Sequence, residues 1–188
     1  MPAMGVREDG GFTLVEMMVT IAVAVLLLTV AMPAWQVFVQ NERLNSTRDQ
    51  LISAMNQARS LSISNDDVVT ICPYNAGSAS SCGTSWSAGW AIFELPQGGA
   101  SSVRVQAQPL TLGSSPTINA ATSGGASLSS ISFNPRPPYV AVGQTGDFRL
   151  CDSRGASYAL SFNLQTTGYI QQPAKAGVTL AGAALTCP

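Results

Sequence analysis

The chain of 188 residues has no histidine. That removes the commonest general base, metal ligand and near-neutral proton carrier. Charge is scarce too, at 10% of residues, with nine basic against ten acidic side chains. Setting aside Arg7, Glu8 and Asp9 near the N-terminus leaves the two signs equal, so composition makes no strong electrostatic case for nucleic acid. Ser, Thr, Gly, Ala, Asn and Gln fill the space that charge leaves. This texture fits a secreted or surface β-rich protein better than a cytoplasmic enzyme. No catalytic constellation is present, since a serine or cysteine nucleophile would lack an imidazole partner. Asp66-Asp67 lies in a polar turn, and Asp147 and Asp152 flank a strand. Solvation accounts for both pairs, and neither a metal nor a cofactor is expected.

What the chain does have is one long apolar run. From Phe12 to Val39 only Glu16 ionises, and the next charge is Glu42. A bilayer core needs about 20 mostly apolar helical residues, and this run is long enough. A secretory signal peptide has a shorter apolar region followed by its cleavage site. Here the candidate processing point, Gly11-Phe12, precedes the run, so cleavage would leave the whole segment on the mature chain. A carboxylate near the end of a membrane helix marks a functional position by default. Glu16 has two readings. It can sit in the first helical turn, favoured by the helix dipole and snorkelling to the headgroups. It can also pair with a positive group in an assembly, such as the free α-amine of a neighbouring chain that begins at Phe12. Pro33, inside the run, removes one backbone donor and crowds the preceding turn, which predicts a kink.

The organisation that follows has three parts: a leader over 1–11, a transmembrane or filament-core helix over 12–40, and a globular head over 41–188. The helix is expected to continue to about residue 64. After Gln40 it becomes amphipathic, with Leu44, Leu51, Met55 and Ala58 recurring on one face, flanked by Ile52 and Leu61, and with Arg43, Arg48, Asp49, Asn56 and Arg59 on the polar face. Asn65-Asp66-Asp67 reads as the stop. Strands are expected at 68–72, 89–95, 102–108, 127–133, 147–152, 157–164 and 168–171. Over 102–108, Val103, Val105 and Ala107 alternate with Arg104, Gln106 and Gln108, as in a half-exposed strand. The stretches 75–85 and 113–126 read as loops, and Pro135, Pro137 and Pro138 forbid regular pairing. The stretch 174–188 is expected to lie across the sheet. Trp86 and Trp90 read as packing residues. The fold class is α+β: a long N-terminal helix packed on an antiparallel β-sheet head.

The four cysteines, Cys72, Cys82, Cys151 and Cys187, allow three pairings if all are oxidised. They lie beyond the membrane segment, which fits a disulfide-permissive, extracytoplasmic compartment. The favoured pairing is Cys72 with Cys82, closing a loop after the first strand, and Cys151 with Cys187, anchoring the C-terminus. Sequence leaves the other pairings open.

Gly11-Phe12-Thr13-Leu14-Val15-Glu16 followed by an apolar helix resembles the class III signal of type IV pilins and type II secretion pseudopilins. The resemblance implies that a prepilin peptidase cuts after Gly11 and N-methylates Phe12. It also implies that Glu16 is the family's assembly glutamate and Pro33 its helix proline, near which the helix can loosen on assembly. The leader departs from the family's basic pattern, with Arg7 set against Glu8 and Asp9, although Arg7 still serves the positive-inside rule. Further on, Val-Thr-Ile-Cys-Pro at 69–73 with its preceding Val68, Cys82, Trp86, Gly89-Trp90-Ala91-Ile92-Phe93, Ile131-Ser132-Phe133-Asn134 and Gly146-Asp147-Phe148-Arg149-Leu150-Cys151-Asp152 resemble the FimT/FimU/GspH group. That group implies a minor pilin, with a secretion pseudopilin or a DNA receptor for natural transformation as alternatives. Its DNA receptors carry a Gly-Arg-x-Arg stretch, and the matching place here, Gly168-Tyr169-Ile170-Gln171, lacks both arginines. The implied partners are other pilins, the prepilin peptidase and the inner membrane, with the head in the periplasm and then on the pilus surface. DNA is not an expected partner.

Overall fold

A computed structural model describes residues 11–99, 101–111, 116–137 and 139–187. The leader, apart from Gly11, and Pro138 lie outside the described residues. One helix, α1 (Leu14–Asn65), opens the fold. Thr13 caps it, its Oγ1 accepting the backbone N–H of Glu16 at 3.2 Å. A threonine before the first turn is a favoured cap because it satisfies a donor that has no intrahelical partner. The helix is continuous through Pro33, where the missing N–H leaves the carbonyl four residues earlier without its usual donor. At the other end Asp66 takes a left-handed conformation, φ 57°. Asp tolerates that conformation better than most residues, which suits a helix terminus.

The chain divides into two compact units, 1–40 and 41–188. In the second, residues from Asn41 onward supply a helical face of Leu44, Thr47, Leu51, Ala54, Met55, Ala58 and Ser62, all buried. The amphipathic stripe read from the sequence is thus the core face, widened by Thr47, Ala54 and Ser62. Ser62 is fully buried, and its one hydroxyl proton is shared between the carbonyls of Asp67 at 2.8 Å and Phe133 at 3.0 Å.

Among the described residues eight strands follow in two antiparallel sheets: β1 (Val68–Pro73), β2 (Gly89–Leu95), β3 (Val103–Pro109), β4 (Thr117–Thr122), β5 (Ile131–Phe133), β6 (Gly146–Cys151), β7 (Leu160–Leu164) and β8 (Ile170–Gln171). The first sheet runs β3-β2-β1-β5 and the second β4-β6-β7-β8. The expected antiparallel head is therefore built from two sheets. Both contribute to one core with the helix: Val69, Ile71, Trp90, Ile92, Ile131 and Phe133 from the first, and Ile118, Phe148, Leu150, Phe162 and Leu164 from the second. Each such side chain, taken from water, contributes about 1.5–3 kcal/mol.

Several readings need correction. Among them, the strands expected over 157–164 and 168–171 shorten to β7 and β8, with a 3-10 turn over Ala156–Tyr158. The stretch 113–126, read as loop, contains β4, which pairs with β6 from Thr117↔Cys151 to Thr122↔Gly146. Residues 112–115 lie outside the described residues. Gly146 lets the two backbones approach, since a Cβ there would stand 2.0 Å from the carbonyl oxygen of Ala121. Next, β3 is more exposed than its alternation implies: Val103 is 59% and Val105 43% exposed. It is an edge strand, and its register with β2 slips between Ile92 and Phe93, so Val105 faces no partner residue. Finally, the strand expected over 127–133 shortens to β5, with Ser127 forming only a bridge to Ala121.

The long edges of the sheets are covered or blunted. Beside β5, the segment 139–141 is bound through Asn134 N–H to Tyr139 O and Ala141 N–H to Ser132 O. Beside β4, Leu128 N–H bonds Ala120 O, and Ser87 Oγ accepts Ile118 N–H at 2.9 Å. On β3 the slip at Val105, the charge of Arg104 and the missing donor of Pro109 oppose addition of a further strand.

Candidate functional site

The N-terminal motif is presented openly. Phe12 is 76% exposed, and Glu16 lies exposed in the first turn of α1. Around and beyond it the side chains of Leu14, Val15, Met18, Ile21, Leu26, Leu27, Val30 and Trp35 are exposed as well. This segment is long and apolar enough to cross a membrane. A helix that is apolar all round has no stable place in water and calls for lipid or neighbouring helices. Pro33 is also exposed, inside this surface.

The head is braced by two disulfides. Cys72 joins Cys82, with Cα atoms 5.7 Å apart, and Cys151 joins Cys187 at 5.9 Å. The favoured pairing is the one present. Cys72–Cys82 closes the Ser-rich loop after β1. Cys151–Cys187 holds the C-terminal segment, where Leu185 is buried with Cys151 and Ala159. Trp86 and Trp90 are both buried in the core. The Trp86 indole stands edge-on to Phe148, with centroids 5.3 Å apart, and Phe148 stacks on Phe162 at 4.8 Å.

The carboxylates singled out in the sequence are engaged with protein groups. Asp66 accepts from Gln97 Nε2 at 3.0 Å and pairs with Arg136 at 3.3 Å, while Asp67 accepts Gln97 N–H at 2.7 Å. Asp147 accepts from Asn163 Nδ2 at 3.0 Å. Asp152 is held by Arg154 at 2.6 Å. Among the described residues no group of three His, Cys, Asp or Glu side chains is placed to hold a metal.

Two arginines have roles that the sequence reading missed. Arg59, assigned to the polar face, lies half-buried with its guanidinium 5.4 Å from the centroid of the Tyr139 ring. It also fills the space beside Gly168, whose φ is 75° and where a Cβ would meet Arg59 Cδ at 2.9 Å. Gly168 thus serves a turn and a close packing contact. The following residues are Tyr169, exposed, and Ile170 and Gln171, paired with Leu164 and Asn163. Arg154, which the sequence did not single out, is mostly buried. Arg59 gave no local signal, because Tyr139 and Gly168 are distant in the chain, whereas the Asp152 and Tyr158 partners of Arg154 lie within four residues and could have been suspected.

An exposed apolar helix and a disulfide-braced, two-sheet head define the type IV pilin-like class. The chain belongs to the family described as type II transport protein GspH, whose model matches residues 47–168. Residues 7–32 match the prokaryotic N-terminal methylation motif. Two crystal structures of the type IV minor pilin FimU from Pseudomonas aeruginosa strain PAO1 share the fold. One is 16% identical, with a TM-score of 0.54, covering 80% of this chain and 99% of that one. The other is 15% identical, with a TM-score of 0.52, covering 77% and 100%. No curated protein matches the chain. Pilins and pseudopilins are structural proteins, and they assemble with other pilins after processing by the prepilin peptidase. The apolar helix and the motif fit a membrane-anchored protein.

Proposed function

We propose that this protein is a minor subunit of a type IV pilus that takes part in assembly initiation or in a complex at the tip. The observation that carries the reading is the union, in one chain, of the methylation motif over 7–32 with a GspH-family head over 47–168. The FimU-like fold of that head supports a pilus subunit. The precursor spans the inner membrane once, with the leader in the cytoplasm and the head in the periplasm. The prepilin peptidase cuts between Gly11 and Phe12 and methylates Phe12. The helix then leaves the bilayer for the filament, where Glu16 neutralises a neighbour's N-terminal amine. An unpaired charge in an apolar helix bundle is unfavourable, so that pairing sets the register of one subunit on the next.

A second reading, a minor pseudopilin of a type II secretion system, is favoured by the family's own description as a transport protein. Mass measurement separates the two. An N-methylated chain beginning at Phe12, recovered at low abundance in sheared surface filaments, supports the minor pilin. The same chain confined to membranes, together with a secretion defect on deletion, favours the pseudopilin. An uncleaved chain, in cells with active prepilin peptidase, overturns both.

A further inference from the structure

The loop after β6 carries a charged side chain with several partners. Arg154 donates from Nε to Asp152 Oδ2 at 2.9 Å and from an Nη to the same oxygen at 2.6 Å. Its backbone N–H bonds Asp152 Oδ1 at 2.9 Å. The guanidinium lies over the Tyr158 ring, 4.4 Å from the centroid. Its remaining Nη donates to Oδ1 of Asn41 at 2.7 Å. The Arg154 and Asp152 side chains are only 12% and 15% exposed, whereas Asn41 is exposed. Arg154 is therefore held rigidly by its own loop, and it presents one fixed donor to the helix. The loop in turn is anchored, because Cys151 is bonded to Cys187.

Asn41 is the first residue of the head unit, and the next buried helical side chain is Leu44. We propose that Arg154 is a clasp, fixing the helix to the head at Asn41 and marking the residue beyond which unwinding of α1 cannot spread into the head. Three features support this. The donor is charge-assisted, which makes the bond stronger than one between neutral groups. The arginine is pre-organised by Asp152 and Tyr158, so little freedom is lost in making that bond. And residues 41–43 have no buried side chain of their own, so the contact acts where apolar packing does not. The inference concerns the isolated chain and does not depend on which assembly the chain enters.

The test is hydrogen exchange on the full-length chain in detergent micelles. Asn41→Ala is expected to speed exchange over 41–46 about tenfold, the scale of one lost hydrogen bond to a charged group, and to leave 51–58 unchanged. Intrinsic propensity points the other way, since alanine favours helix over asparagine. Asn41→Asp, which offers Arg154 a full charge, is expected to slow exchange over the same residues. Arg154→Ala is expected to abolish the difference between Asn41 and Asn41→Asp. Parental exchange in both Asn41 variants overturns the inference. So does an equal rise over 41–46 and 51–58 in Asn41→Ala, because the helical half would then respond as one body.

Discussion

The indole Nε1 of Trp86 donates to the carbonyl of Leu128 at 2.7 Å inside the core. Trp86 stands in a short 3-10 turn before β2, and Leu128 lies in the connection between β4 and β5. The bond therefore joins the approach to the first sheet to the crossover between sheets. Trp86→Phe keeps an aromatic ring against Phe148 and removes the donor. The Leu128 carbonyl then loses a partner in a buried site, which is unfavourable by about 1–3 kcal/mol. Denaturant unfolding followed by far-UV circular dichroism should show a lower midpoint with an unchanged slope.

Removing each disulfide should weaken the head unequally. The closed loops span 10 residues for Cys72–Cys82 and 36 for Cys151–Cys187. Chain entropy assigns about 2.7 kcal/mol to the shorter and about 3.8 kcal/mol to the longer. The Cys151→Ser/Cys187→Ser pair should therefore lose more stability than the Cys72→Ser/Cys82→Ser pair, with equilibrium unfolding as the measurement. The reverse order would show that strain or residual structure outweighs loop length.

Glu16→Ala is expected to leave cleavage after Gly11 intact and to reduce the variant in sheared filaments severalfold. Peptide mass reports the first outcome and quantitative immunoblotting of membrane and filament fractions the second. The Thr13 cap to the Glu16 backbone survives this substitution, so a processed but unincorporated chain isolates the carboxylate. Normal recovery in filaments would count against amine pairing.

Gly11→Val is expected to block processing, because a branched side chain would stand where the peptidase cuts. Intact mass should then show the leader retained on a membrane-held chain. A mature chain beginning at Phe12 would place the specificity elsewhere.

DNA binding by the head is expected to be absent at moderate salt. Between Val68 and the C-terminus the basic residues are Arg104, Arg136, Arg149, Arg154 and Lys175. Of these, Arg136 is paired with Asp66 and Arg154 with Asp152. Phosphate neutralisation by Lys and Arg supplies most non-specific affinity. A mobility shift on duplex DNA that weakens steeply with salt would restore the receptor reading.

The elements that the sequence disclosed were those whose pattern is local. Gly89–Leu95 emerged with its bounds intact because aromatic and β-branched residues are bracketed by Gly89 and Pro96. The stripe from Leu44 to Ala58 emerged because helical spacing is read within a few turns. β4 stayed hidden because its one fully buried side chain is Ile118, amid Thr, Asn and Ala. Its strand character comes from β6, more than twenty residues away in the chain. β3 misled because alternation states which residues share a face and not whether that face is covered. Arg59 and Arg154 were opaque for a third reason: a charge looks alike in sequence whether water or a ring such as Tyr139 or Tyr158 surrounds it.

Leu51 and Met55 share one core with Phe162 and Leu164, yet the ribosome makes them far apart in time. At 5–20 residues per second the helical face waits roughly ten seconds for its last strand partners. During that interval its apolar stripe is bare and already attached to a segment destined for lipid. The nascent head is then most open to misassociation. A pulse-chase with protease should find the 41–65 region cleavable until β7 has emerged, and protected soon after.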